Sequence, residues 1–339
     1  MPVDLQRSHL LINLLEISTS LAVVSAFLKS KGLHHSAGSW TAMRNLRLLK
    51  HLQDEAISNN DLEKLVQEAE EYGRQHVFLY SCDPSAARAM MDRGKVDREL
   101  RSRGLDRLIG ASKLVEDPQG TEIVDVRWES GSNKDFALVI KEVELRVYTK
   151  YLGVEQRGTQ LLKVYDRINE RAVNIARLHI SGALEIRIAS RRNTTKYEQD
   201  IYDFFGRIDG LIDSLEFTEH SITTGKDYIW KNRKALSEQI RSVDATMRNA
   251  AGNVLRGATG RVGSDLSDDD AVSDSLDVLL GGDANAYCDS TNIYFKPTQK
   301  MSAETHVILS GEPNEFALPA KCAKSDYEHV LEQIRLFNR

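Results

Sequence analysis

Four cations lie close together in the stretch RIASRRNTTKY: Arg187, Arg191, Arg192 and Lys196, with Asn193, Thr194, Thr195 and Tyr197 among them. Guanidinium and ammonium groups interleaved with hydroxyls and an aromatic ring suit phosphate contacts with occasional base stacking. A second group, Lys231, Arg233 and Lys234 with Lys226, flanks Tyr228 and Trp230 in GKDYIWKNRK. Both groups are candidate nucleic-acid contacts; the plainer reading is a solvated turn and a solvated helix face. Asp166 together with the Glu185-Ile-Arg187 triplet has the carboxylates that a magnesium-dependent nuclease needs. Such a site wants a lysine where Arg187 stands, and arginine does not deprotonate. Alternation of Leu184, Ile186 and Ile188 with Glu185 and Arg187 already predicts a strand with its charged face in water.

Arg44 and His51, in RNLRLLKH, could pair a cation for developing phosphate charge with a histidine base. Their spacing resembles the R-x4–6-H motif of HEPN ribonucleases, which makes them the candidate catalytic pair of the enzyme reading; on a basic helix the same residues also serve as a solvated face. No glycine-rich phosphate loop, G-x-S-x-G, H-E-x-x-H or C-x-x-C occurs. His34 and His35 lack nearby companions and point in different directions on any helix, so no metal site and no cofactor is expected. The three cysteines, Cys82, Cys288 and Cys322, are far apart, which predicts a reducing compartment.

The elements that must position these residues change character along the chain. Leu11, Leu14, Leu15, Leu21, Val24 and Leu28 recur at helical spacing, and TAMRNLRLLKHLQDEAI is amphipathic. SNNDLEKLVQEAEEYG opens on capping residues, Ser58 to Asp61, and closes at Gly73. HVFLY then predicts a buried strand or short packed helix, with His76 partly buried at the seam. From about residue 120 to 200 the period becomes two. TEIVDVRW, DFALVIKEVELRVYT, TQLLKVYD, RAVNIARLHI and GALEIRIAS predict an antiparallel meander, with turns at INE and SG. KYEQDIYDFFGRIDGLIDSL returns to helical spacing, and GKDYIWKNRKALSEQIRSVDATMRN predicts a further polar helix.

Residues 257–283 are rich in Gly, Ser and Asp and predict an acidic flexible linker with one short helix near Val278 to Leu280, the preferred site of limited proteolysis. Strands near AYCDSTNIYF, THVILSG and EFALPAKCA and a last helix, KSDYEHVLEQIRLFN, follow. The fold class is therefore α+β: an N-terminal helical bundle (1–115), a central antiparallel sheet with packed helices (116–256), the linker, and a small C-terminal α+β segment (284–339). With 339 residues, 41% apolar and 28% charged, the chain has the composition of a globular protein of more than one domain. Net charge is -5, but residues 261–339 hold 7 basic against 14 acidic side chains and the rest 38 against 36. That excludes bulk coating of nucleic acid and leaves room for a basic face on the first two-thirds. LLINLLEISTSLAVVSAFL is interrupted by Asn13, Glu16 and Ser18, so it reads as a bundle helix with no membrane partner, and the expected location is the cytoplasm, or the nucleus of a eukaryote.

AFLKSKGL, ISNNDLEKLVQEAEEYGRQHVFLY and ALEIRIASRR, within residues 1–200, together resemble the centromere protein N family. The resemblance implies a pyrin-like helical bundle followed by a β-rich domain, with a basic groove for DNA carried here by Arg187, Arg191 and Arg192. The expected function is non-enzymatic nucleic-acid binding, DNA before RNA, or scaffolding inside a complex with a protein partner. In a prokaryote that role would serve chromosome partition or anti-phage defence. The alternatives are a HEPN-like or metal-dependent nuclease and a purely protein-binding adaptor.

Overall fold

A computed structural model describes residues 4–130, 136–192, 196–301, 303–309 and 311–339. The class is α+β. Helices α1 (Leu5–Ser18), α2 (Leu21–Ser30), α3 (Trp40–Met43), α4 (Leu49–Gln53) and α5 (Asn59–Glu71) form the N-terminal bundle. Leu11, Leu15, Leu28, Leu48 and Leu62 close its core. A π-helical turn, Arg44–Leu48, separates α3 from α4. Asp4 caps α1, and Ser58 with Asp61 forms a reciprocal capping box on α5.

Gly73, with φ of 81°, ends the bundle and starts β1 (Gly73–Ser81). A Cβ there would lie 2.3 Å from the Ala320 carbonyl oxygen, so no side chain fits. HVFLY is thus a strand, and the chain continues through α6 (Pro84–Met90), α7 (Arg93–Ser102), β2 (Thr121–Ser130), β3 (Phe136–Arg157), β4 (Gln160–His179), β5 (Ala183–Ala189) and α8 (Glu198–Ile208). Next come β6 (Thr218–Glu219), α9 (Thr223–Lys231), β7 (Ile240–Arg248), β8 (Val254–Ala258), α10 (Asp270–Gly282), β9 (Tyr287–Phe295), β10 (Thr305–Leu309), β11 (Glu315–Lys321) and α11 (Lys324–Phe337).

Among the described residues the strands form one sheet, in the order β2-β3-β4-β5-β1-β11-β10-β9-β7-β8, with β6 on β1. All its strand pairs are antiparallel. β1, from the segment expected to be helical, lies between β5 and β11, so the sheet crosses the boundaries expected at 115, 256 and 283. One face carries α6, α7 and α8 through Met90, Leu100, Phe204 and Ile208. Helix α11 covers the other face beside α9 through Tyr327, Val330 and Ile334, and valines 115, 124, 139, 143 and 173 fill the layer above β2–β4. No helix among the described residues is long and apolar enough to cross a membrane.

Three local expectations change. INE, read as a turn, is Ile168 to Glu170 inside the continuous β4, paired with Tyr148 to Arg146 of β3; cross-strand partners override the weak turn signal. The helix expected over GKDYIWKNRKALSEQIRSVDATMRN stops at Lys231, and Ile240–Arg248 is strand β7 paired with β8 and β9. The segment expected as a flexible linker holds α10, thirteen residues long. Leu266 and Leu276 in that segment are buried against Trp230, Ala245 and Met247, enough apolar contact to order an acidic stretch.

Candidate nucleic-acid interface

Most of the cations singled out above are already occupied within the chain. Arg187 and Glu185, expected in water, are 2% and 1% exposed. Their strand is covered on both faces, with Tyr327 of α11 and Tyr72 over the charged one. Glu185 accepts from Arg187 at 2.6 Å, from the Tyr327 hydroxyl at 2.7 Å, from Arg177 at 3.3 Å and from Arg335 at 3.4 Å. Burial alone would raise its carboxyl, but Arg187, Arg177 and Arg335 bring it down to about 2. Arg187 therefore holds the interior together and touches no solvent ligand.

Arg191 is held by Asp200, at 2.9 Å from its Nε. Arg192 is looser: it lies 3.7 Å from Glu170 and over the Tyr148 ring at 4.7 Å. Lys196 is exposed, while Asn193, Thr194 and Thr195 lie outside the described residues. The second group faces α10. Arg233 binds Asp277 at 2.6 Å, Lys234 reaches Asp270 at 3.4 Å, and Lys231 stands 4.0 Å from Asp227. Trp230 is buried and donates to Asp277 at 2.8 Å, Tyr228 stacks on Phe337, and Lys226 is buried with its ammonium on the Asp289 carbonyl. The acidic segment thus neutralises Arg233 and Lys234, just after α9, while Lys231 is answered within α9 by Asp227.

The catalytic candidates are likewise engaged by other groups. Arg44 pairs with Glu16 at 2.8 Å. His51 is buried, with Nε2 2.9 Å from the His34 carbonyl oxygen; a carbonyl only accepts, so that nitrogen carries the proton and is not a base. Asp166 lies opposite Lys150 far out on β4, whereas the β4–β5 ladder that holds Glu185 begins at Ile175. Glu185 stands opposite Arg177, eleven positions along β4 from Asp166, which separates the two carboxylates by roughly 35 Å of strand. Among the described residues no group of three His, Cys, Asp or Glu side chains could hold a metal ion. Burial pushes the Cys288 and Cys322 thiols up to about 12, so neither is a thiolate nucleophile at neutral pH.

Two features stand out in their place. β3 and β4 are 22 and 20 residues long, much longer than their neighbours. β2 follows β3 only as far as Glu144, and β5 follows β4 only over Ile175 to Leu178. From Arg146 and Glu170 outward the two strands pair, among the described residues, only with each other, forming a ribbon roughly 35 Å long. Gly158, φ 62°, and Thr159 close its tip, with glycine at the first central position as a II′-type hairpin turn favours.

Directly opposed residues share a face of such a ribbon. One face carries Val147 opposite Asn169, Thr149 opposite Arg167, Tyr151 opposite Tyr165, Val154 opposite Lys163 and Gln156 opposite Leu161. Every one of these side chains is exposed. The tyrosine rings lie 5.5 Å apart. Lys163 and Arg167 are the charges of this face, and it holds no carboxylate; Glu155 and Asp166 are on the reverse.

At the foot of the ribbon, where β4 parts from β5 and β1, is a cleft of about 270 Å³. Arg146 and Asn174 bridge the parting by bonding the Ala189 carbonyl and amide at 2.7 and 3.2 Å. Arg74, Gln75, Tyr148, Arg192 and Lys321 line the cleft. A bulge between Gly73 and Gln75 turns Arg74 out of the ladder with φ of 55°, a left-handed conformation that costs a non-glycine residue about 1–2 kcal/mol. The alternating pattern of β3 and β4 was visible in the sequence. Arg157-Gly158-Thr159-Gln160 was the overlooked signal that one hairpin, not three strands, occupies 136–179. No protein-family model matches the chain, and no curated protein matches it at significant similarity.

Proposed function

We propose that this chain is a non-enzymatic nucleic-acid-binding subunit of a larger complex, and that it lays an unpaired DNA strand along the exposed face of the β3–β4 ribbon. One observation carries the reading: a solvent-facing sheet surface with two adjacent tyrosines and two cations and without any carboxylate. Aromatic rings on an open sheet stack bases irrespective of sequence, and nearby cations follow the phosphates. Thr149, Gln156 and Asn169 add hydrogen-bonding groups on the same surface. The resemblance to the centromere protein N family implies DNA as the ligand but places it on Arg187, Arg191 and Arg192; the contact proposed here lies instead on the ribbon.

The test is fluorescence anisotropy with single-stranded DNA, duplex DNA and RNA of one length, across a salt titration. The wild type should prefer the single strand. Replacing Tyr151 and Tyr165 by Ser should weaken binding by about 1–3 kcal/mol per stacked base and leave the fold intact. The exposed Val147, Val154 and Leu161 favour a second reading, an acidic amphipathic peptide on the same face. Absence of nucleic-acid binding together with ribbon-dependent capture of such a peptide would establish the adaptor in place of the DNA-binding protein.

A further inference from the structure

The cleft at the foot of the ribbon has properties that neither folding nor base stacking explains. Gln75 is 2% exposed, yet its Oε1 has no hydrogen-bond partner, and the buried hydroxyl of Tyr148 in the same cleft has none. Buried polar atoms are ordinarily paired, so two orphans lining one cavity are polar groups available to a ligand. Turning the Gln75 amide over would present its NH2 to that ligand, and the tyrosine hydroxyl is a donor as well. Arg74, exposed and without an ion-pair partner among the described residues, is held at the rim in a conformation that arginine does not favour. Arg192 lies at a loose 3.7 Å from Glu170. Lys321 donates to the Ala69 carbonyl at 2.7 Å and keeps further donors. Desolvation lowers the Lys321 ammonium below the usual lysine value; Glu70 opposes this, and Arg74 and Arg171 add to it.

We propose that this cleft binds a phosphate monoester, either the terminal phosphate of a nucleic-acid strand or a free mononucleotide, through Arg74, Arg192, Lys321, Gln75 and Tyr148. A monoester is close to a dianion at neutral pH and offers three acceptor oxygens, and guanidinium forks match them. The internal phosphate of a chain has a single charge and two ester links to accommodate. The cleft volume of about 270 Å³ is at the small end of ligand pockets. The cleft opens at the base of the ribbon beside Asn169 and Arg171, which lie on the tyrosine face, and Tyr148, which lies on the reverse, so a strand laid on the ribbon can end there. That last point rests on the proposed function; the pocket chemistry does not.

The experiment uses the full chain and four probes: single-stranded DNA with a 5′-phosphate, with a 3′-phosphate or with hydroxyl ends, and a nucleoside 5′-monophosphate alone. Arg74→Gly is the informative variant, because glycine suits φ of 55° and removes the charge without threatening the fold. Gln75→Leu tests the orphan amide. Phosphate at one end should tighten strand binding about tenfold, the scale of one charge-assisted contact, and Arg74→Gly should abolish that gain. The mononucleotide should raise the melting temperature of the wild type and not of Arg74→Gly. Equal affinity for phosphate-ended and hydroxyl-ended strands, with no thermal shift by the mononucleotide, overturns the pocket. If no strand binds at all, the ribbon reading fails, and the mononucleotide shift decides the pocket by itself.

Discussion

Lys141, Glu142 and Asn174 are buried in β3 and β4 where those strands lie in the sheet, whereas Tyr151, Val154, Leu161 and Tyr165 are exposed on the same strands a few residues further out. In the body, charges are inside and answer one another: Lys141 reaches Glu70 at 3.0 Å, Arg171 reaches the same carboxylate at 2.6 Å, and Asn174 donates to Glu142 at 3.0 Å. On the ribbon, apolar and aromatic groups face water. The ribbon is the less apolar of the two regions, yet it is the one whose apolar groups meet water; what decides this is cover. The end of α5 and the chain at Val115 lie over the body, whereas the side chains of the ribbon's tyrosine face are exposed. A buried charge held by several partners is a structural element, while an uncovered aromatic surface marks an interaction site.

The largest expected effect lies in the buried layer. Glu185→Leu leaves the buried Arg187 without its carboxylate and Arg177 with Glu129 alone, and should destabilise the fold by about 3–5 kcal/mol, read as a shift in the urea midpoint. A loss below about 1 kcal/mol, the value of an exposed pair, would mean that the layer is wet and that the contrast between the two regions is false.

Acid should probe the same contrast. The folded Glu185 carboxyl lies at about 2 and Glu70 is also lowered, burial opposing and Lys141 and Arg171 prevailing. Unfolded, a glutamate titrates near 4.3. The stabilisation is therefore fully present above about pH 4.3 and drains away as pH falls toward 2. Thermal melting across that window should show a steep decline in the wild type and a flatter one in Glu185→Leu. Parallel curves would separate the layer from acid stability.

The smallest effect belongs to the ribbon cations. Lys163→Gln and Arg167→Gln should each reduce the slope of log affinity against log salt by about 0.7, the value for a single strand. Stability should change by no more than about 0.5 kcal/mol, as for exposed positions. An unchanged slope with weakened binding would assign these residues to hydrogen bonding or packing and sharpen the picture of an apolar platform.

Local signals sufficed for much of this protein. The capping box at Ser58 and Asp61, the glycine stop at Gly73, the alternation in β2, β9, β10 and β11 and the apolar stripe of α11 are each decided by neighbours a few residues apart, and a single chain displays them. Three things depend on partners distant in sequence. Glu185 and Arg187 alternate with leucine and isoleucine just as a half-solvated strand would, and only α11, some 140 residues later, turns them into an interior pair. Arg233 and Lys234 read as part of a basic patch until α10 sets Asp277 and Asp270 against them. The candidate site is of the same kind. Gly73, Arg74 and Gln75 meet Tyr148, Arg192 and Lys321 only because β1 enters the sheet between β5 and β11. Alternation states which side chains share a face; whether that face meets water, an opposite charge or a ligand is decided by what the rest of the chain packs over it.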